Sequence, residues 1–201
     1  MNINELNVND LFQDDDDSKK ELDQLLDEAR QFMSDWDYDN ESMTPKLRVS
    51  FINKSVNPDP SYEKEGDSGF DIRASVTDKN SDGEYSIEIL PGNRCLIKTG
   101  LYFEIPLGFE LQVRSRSGLA LKNGIMVLNS PGTVDSGYRG EIGVILYNTD
   151  QDQSFFVKNG DRIAQGVIAP VQTRDKIKFI KSESLSSSDR GLGGFGSTGI
   201  L

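Results

Sequence analysis

The chain has 201 residues, with 33 acidic and 22 basic side chains, a formal net charge of −11, one cysteine and no histidine. That length suits one domain plus an appendage. The balance argues against nucleic-acid binding through bulk charge. A single cysteine excludes an intrachain disulfide, and the lack of histidine excludes Ser-His triads, His-metal sites and histidine general bases.

The charge is uneven. Residues 1–45 carry 14 Asp/Glu against 3 Lys/Arg, whereas residues 46–201 carry 19 of each. The acidity therefore belongs to an N-terminal extension, residues 1–45. Its first 17 residues are polar, end in Asp14-Asp15-Asp16-Asp17 and read as a solvated arm. Ser18 and Glu21 form a capping box for a helix near 18–34. Leu22, Leu25, Leu26, Ala29, Phe32 and Met33 share one face of that helix. That face needs its own body, a sister subunit or a foreign protein to cover it. Residues 35–45 read as an acidic linker ending at Pro45.

From Lys46 the pattern turns to short strands separated by Gly and Pro: 47–52, 87–90, 94–99, 101–105, 109–114, 141–147, 154–157, 163–169 and 176–180. A short helix is expected over Ser117–Lys122 and a surface loop over 75–86. Many short strands predict an all-β barrel or sandwich over residues 46–181. Residues 182–201 read as a Ser-rich tether carrying a glycine-rich end, Arg190-Gly191-Leu192-Gly193-Gly194-Phe195-Gly196-Ser197-Thr198-Gly199. No run approaches a membrane span, the first residues lack the basic and apolar features of a secretion signal, and Cys95, in an apolar run, is expected to be a buried inert thiol. A reducing cytoplasm is the expected compartment.

Five segments carry chemistry. Arg114-Ser115-Arg116-Ser117-Gly118 ends a strand and opens a helical turn, which suits an anion held by guanidinium and amide groups. Asn129–Glu141 reads as a hairpin, with Val134 on one arm, Gly143 on the other, Asp135 where the first arm ends and Tyr138 at the tip. Its backbone can pair with a base edge. Asp135 is either a general base for water or an ordinary turn residue. Asp71, between Phe70 and Ile72, suits a hard cation. Asp161 and Arg162 read most simply as a surface or structural pair, with Gln165 as a neutral donor and acceptor. The terminal segment offers amides, Arg190 for phosphate and Phe195 to stack on a flat ligand.

In order, the segments Ser68–Ala74, Arg116–Ala120, Gly132–Glu141, Gly160–Gln165 and Arg190–Gly199 resemble the trimeric dUTP diphosphatase (dUTPase) family. The extension 1–45 lies outside the resemblance. The resemblance implies a jelly-roll β-barrel subunit and a C3 homotrimer with active sites shared between subunits. It implies hydrolysis of dUTP to dUMP and pyrophosphate with Mg²⁺, which keeps uracil out of DNA. Asp135 would activate the water that attacks the α-phosphorus. Arg116, Ser117, Gly118 and Gln165 would hold phosphates or water. Asn129, Thr133, Val134 and Gly143 would read uracil, and Tyr138 would exclude a 2′-hydroxyl. Asp71 would hold Mg²⁺ through water. Arg190, Gly196, Ser197 and Thr198 would clasp the γ-phosphate end while Phe195 covers the base. Ser115 stands where many members have Pro, which is expected to loosen the turn, and Leu192 fills a variable place. A dCTP deaminase on the same fold lacks the Val-Asp-x-x-Tyr-Arg-Gly segment. A regulatory, protein-binding role through residues 18–34 is the alternative of another class.

Overall fold

The computed structural model describes residues 16–34, 36–38 and 45–193. Helix α1 spans Asp16–Ser34. A β1–β2 pair follows (Trp36–Tyr38 with Pro45–Leu47), so the expected linker is bracketed by two short antiparallel strands. Leu22, Leu26 and Ala29 on the apolar stripe of α1 are half-buried, and Leu25 is 56 % exposed. An Arg30–Asp27 pair at 2.9 Å and a Gln24–Glu28 hydrogen bond at 2.9 Å decorate its polar side.

The body is built from strands β3 (Ser50–Asn53), β4 (Phe70–Arg73), β5 (Ser86–Ile89), β6 (Arg94–Lys98), β7 (Leu101–Glu104) and β8 (Phe109–Arg114), then helix α2 (Ser117–Asn123). After it come β9 (Ile125–Val127), β10 (Gly132–Asp135), β11 (Gly143–Asn148), β12 (Phe155–Lys158) and β13 (Arg162–Pro170). They form sheets in the orders β10-β8-β13-β4, β6-β11-β9, β12-β5 and β3-β7. Every pairing is antiparallel. Non-local antiparallel sheets with few helices are the jelly-roll class that the strand pattern anticipates.

Period-two alternation explains the core. Phe70 and Ile72 point inward on β4, and Val144, Leu146 and Asn148 do so on β11. Phe70, Ile72, Val144 and Leu146 join Ile89, Ile97, Leu111, Ile125, Ile142, Val157 and Ile163 in one buried hydrophobic cluster. Burying each such aliphatic side chain contributes roughly 1.5–3 kcal/mol. The buried polar groups are satisfied: Asn148 Nδ2 donates to the carbonyls of Ile89 (3.0 Å) and Gln153 (2.9 Å), and its Oδ1 accepts from Asp150 N (3.0 Å).

Several expectations change. The run 47–52 breaks at Arg48–Val49, and β4, β9 and β10 are strands too short for periodicity to single out. The run 176–180 holds no strand; a turn at residues 174–176 precedes extended chain with Phe179 and Ile180 exposed. Apolar alternation makes a strand only where a neighbour supplies the ladder. This segment belongs to a separate unit, Gln172–Leu201, whose described part is exposed chain closed locally by Lys176 N to Thr173 O at 2.9 Å and Gly191 N to Ser188 O at 2.9 Å. Cys95 is half-buried on β6 rather than buried.

Candidate active site

The middle of the four-stranded sheet brings three of the motifs together. Asp71 on β4 pairs with Gln165 on β13, and Gln165 pairs with Arg114 on β8. One row across three strands thus carries Asp71, Gln165 and Arg114. Arg116, two residues beyond the row, returns to it: its Nε lies 3.0 Å from Asp71 Oδ1, and its Nη1 donates to the Arg162 carbonyl at 3.0 Å. Arg162 Nη1 lies 3.4 Å from Asp71 Oδ2. The Asp71 side chain is only 14 % exposed, so both oxygens face guanidinium groups in a partly desolvated place.

Arg162 is the residue that the sequence reading misplaces. It does not pair with Asp161, which instead accepts a hydrogen bond from Lys158 N at 2.8 Å and closes the Asn159-Gly160 turn. The pairing of Arg162 with Asp71 spans 91 positions, so adjacency to Asp161 in sequence carries no information about it.

Arg116 is the N-cap of α2, with φ −87° and ψ 125°, and makes no side-chain cap. A guanidinium has no acceptor, so the first amides of α2 keep their donor capacity. Ser117 and Gly118 are exposed there. A Cβ placed on Gly118 would meet nothing within 4 Å, and its φ is not left-handed, so neither packing nor backbone requires glycine at this point. Ser115 is not a loose substitute for proline: its Oγ accepts from Val127 N at 2.9 Å and lies 3.5 Å from Ser130 Oγ, tying the loop to β9.

The expected hairpin over Asn129–Glu141 is not one. The strand bearing Thr133 and Val134 pairs with β8, whereas the strand opened by Gly143 pairs with β6 and β9. Gly132 is buried close to Asn129: a Cβ there would lie 3.2 Å from Asn129 Nδ2 and 3.4 Å from Val113 Cβ. Between the strands runs a turn locked by Tyr138 N to Asp135 O at 3.0 Å and by Tyr138 Oη to Glu141 O at 3.1 Å. The Tyr138 ring lies where a Cβ of Gly140 would stand, which accounts for glycine after Tyr-Arg. Thr99 anchors the far side, with Oγ1 donating to Ile142 O at 2.7 Å and accepting from Leu101 N at 3.1 Å. Asp135, Thr133, Tyr138 and Gly143 are exposed, and Val134 is half-buried.

One chain does not unite these two groups. Asp135 pairs with Glu110, four residues along β8 from Arg114, a separation of about 14 Å at ~3.4 Å per residue. Arg190 belongs to the second unit, where its Nε donates to Gly193 O at 3.0 Å. Phe195, Gly196, Ser197 and Thr198 lie outside the described residues.

Among the described residues no three carboxylate or Cys side chains gather as a metal cage. Both oxygens of Asp71 face guanidinium groups, so it would reach a hard cation only through that ion's own waters, the other ligands coming from phosphate. An apolar cavity of about 270 Å³, walled by Leu47, Val49, Phe51, Tyr62, Phe103 and their neighbours, lacks ionisable acids or bases other than Tyr62 and does not suit a triphosphate. No helix among the described residues is long and apolar enough to cross a membrane.

Known proteins resemble this chain. The chain is 52 % identical over 141 residues to a deoxyuridine 5'-triphosphate nucleotidohydrolase of Rhizobium leguminosarum bv. trifolii, covering 70 % of this chain and 85 % of that one. The solved Staphylococcus bacteriophage 80alpha dUTPase with dUPNHPP superposes with a TM-score of 0.65 at 25 % identity, over 76 % of this chain and 99 % of that one. A mutant dUTPase from phage phi11 of S. aureus, described with a structural Mg(II) ion, has a TM-score of 0.58 at 22 % identity, over 70 % of this chain and 99 % of that one. The dUTPase family model matches residues 56–199, from just after β3 through the glycine-rich end. With most of its length matched by the family model and half of its aligned residues identical to those of such a relative, the chain belongs to the dUTPase family.

Proposed function

We propose that this chain hydrolyses dUTP to dUMP and pyrophosphate as a homotrimer. The observation that carries the reading is 52 % identity along 85 % of a relative named for that reaction. Geometry supports it: Asp71, Arg116 and Gln165 share one part of the sheet, and Asp135 lies about 14 Å away along β8. A site that needs both groups is completed by a second subunit's Asp135–Tyr138 turn and a third subunit's glycine-rich end.

Each residue has a chemical task. Asp135 accepts a proton from water as the oxygen attacks the α-phosphorus; in a chain without histidine a carboxylate is the natural base. The Arg116 guanidinium and the first amides of α2 hold the phosphates, with Ser117 donating to the α/β region and Gly118 allowing close approach. Asn129, Thr133, Val134 and Gly143 pair with the uracil edge, and cytosine leaves such fixed donors and acceptors unmatched. Tyr138 packs under the sugar. Arg190, Gly196, Ser197 and Thr198 close on the γ-phosphate, and Phe195 covers the base. Asp71 would hold Mg²⁺ through water, with phosphates as its direct ligands, and the bound ion would neutralise charge on the triphosphate.

The test is a panel of dUTP, dCTP, dTTP and UTP, with pyrophosphate detected and Mg²⁺ supplied or withheld. Release from dUTP alone is expected. Asp135→Asn keeps dUTP binding and lowers turnover by about 10²–10⁴-fold, the usual worth of a general base. Unchanged turnover in Asp135→Asn removes it as base, and equal release from dCTP removes the specificity reading.

A further inference from the structure

We propose that Arg162 is a positioning residue of the triphosphate site, acting through Asp71 and Arg116. The inference rests on the reading above and adds a residue to it.

Gln165 pairs with Asp71 and Ala164 with Ile72, so a regular ladder would set Ile163 opposite Arg73. Ile163 would then share the face of Asp71, and Arg162 would point to the other side. A bulge intervenes: the register shifts between Arg162 and Ala164, and Arg162 itself pairs with Arg73. The extra residue, Ile163, is buried together with its neighbour Ala164, as alternation would not allow. The bulge therefore transfers Arg162 to the face that bears Asp71, and bulges beside sites commonly re-aim a side chain in this way.

Two arginines now face each other across the β13–β4 pair. Arg73 is drawn off, its Nη1 donating to the Gly160 carbonyl at 3.0 Å. Arg162 turns to Asp71 Oδ2, and Arg116 Nε takes Oδ1. The backbone carbonyl of Arg162 also receives Arg116 Nη1. One residue thus fixes both members of the Asp71–Arg116 pair, the carboxylate through its side chain and the guanidinium through its main chain. Arg116 keeps Nη2 for an anion. Without Arg162 the carboxylate loses one of its two partners and Arg116 swings with it, so phosphate and cation lose their common frame.

The experiment is a double-mutant cycle on the full-length chain with Arg162→Gln and Asp71→Asn. Two quantities are read: calorimetric affinity for pyrophosphate with Mg²⁺, and KM against kcat for dUTP. Arg162→Gln is expected to weaken pyrophosphate binding about tenfold, the scale of one charge-assisted hydrogen bond. It should raise KM more than it lowers kcat, and Arg162→Lys should restore most of the loss. In the Asp71→Asn background Arg162→Gln should add nothing further. The same tenfold loss in that background means that Arg162 grips phosphate directly, and overturns the proposal. So does unaltered affinity in Arg162→Gln, or failure of the wild-type chain to bind pyrophosphate. A fall in melting temperature without a change in affinity marks a structural role and also overturns it. Should Arg162→Gln not fold, Arg162→Met in both Asp71 backgrounds reads the same coupling. Absence of dUTP hydrolysis by a chain whose cycle is coupled counts against the function and not against Arg162.

Discussion

Replacing Gly166 by alanine tests how tightly the sheet beneath the site is packed. The new Cβ would lie 2.5 Å from Phe70 Cζ, 2.8 Å from Phe70 Cε2 and 3.0 Å from Leu111 Cδ1. Carbon atoms rest at about 3.5–4.0 Å, so a shift of roughly 1 Å is required. The ring has little room to yield: Phe70 is buried, lies 5.9 Å from the Phe103 ring and meets Tyr62 edge-on at 6.1 Å. Overpacking of this kind costs about 1–3 kcal/mol. The φ of Gly166 is not left-handed, so alanine regains about 0.4–1 kcal/mol through the unfolded chain. A net loss of about 1–2 kcal/mol remains, which lowers a urea midpoint by roughly 0.5–1 M at ordinary slopes. Gly166 pairs with Phe70 and Val113, one step from the Asp71–Gln165–Arg114 row, so KM for dUTP should rise with little change in kcat. Urea unfolding followed by circular dichroism reads the first effect and initial rates read the second. An unchanged midpoint would refute the packing argument. A lower midpoint with an unchanged KM would refute its link to the site.

A chain of residues 46–201 should keep turnover near that of the full chain, because the family match begins at residue 56 and α1 adjoins the body through the β1–β2 pair. Loss of activity together with a change in oligomer size would make the acidic extension structural. A selective loss of binding to a partner protein would instead favour a docking role for residues 18–34. Acid sensitivity offers a further check. The Asp150 carboxylate is held below the usual carboxylate range by hydrogen bonds from the backbone amides of Asp152 and Gln153, and both contacts measure 2.9 Å. A depressed folded value contributes stability above the unfolded value, and that stability fades as pH falls through the folded one. Asp150→Ala should therefore lose stability at neutral pH and match the parent at strongly acid pH; a constant gap between their unfolding curves would contradict this.

The motifs stand out in the sequence because they are local. Arg116-Ser117-Gly118, Val134-Asp135 with Tyr138-Arg139-Gly140, and the glycine-rich end each concentrate donors, acceptors and permissive backbone within a few residues. Helix α1 was legible through its periodic leucines, although it spans Asp16–Ser34 and so takes the expected cap Ser18 inside it; β8 was legible through apolar alternation and β11 as a continuous apolar run. The short β4 was not, because its strand state depends on pairing with β13, distant in sequence, and β10 was seen only as a hairpin arm, whereas its partner is β8.

What the sequence determined by itself was the class of fold, the acidic extension and the motifs, since composition, spacing and turn residues act over short range. The tertiary structure alone decided which strands pair. It separated Thr133–Val134 from Gly143 into different sheets, left 176–180 without a ladder and, through a one-residue bulge, turned Arg162 onto Asp71. The physical reason is that strand register is a long-range property: one inserted residue reverses the face of a side chain, and no local pattern records it.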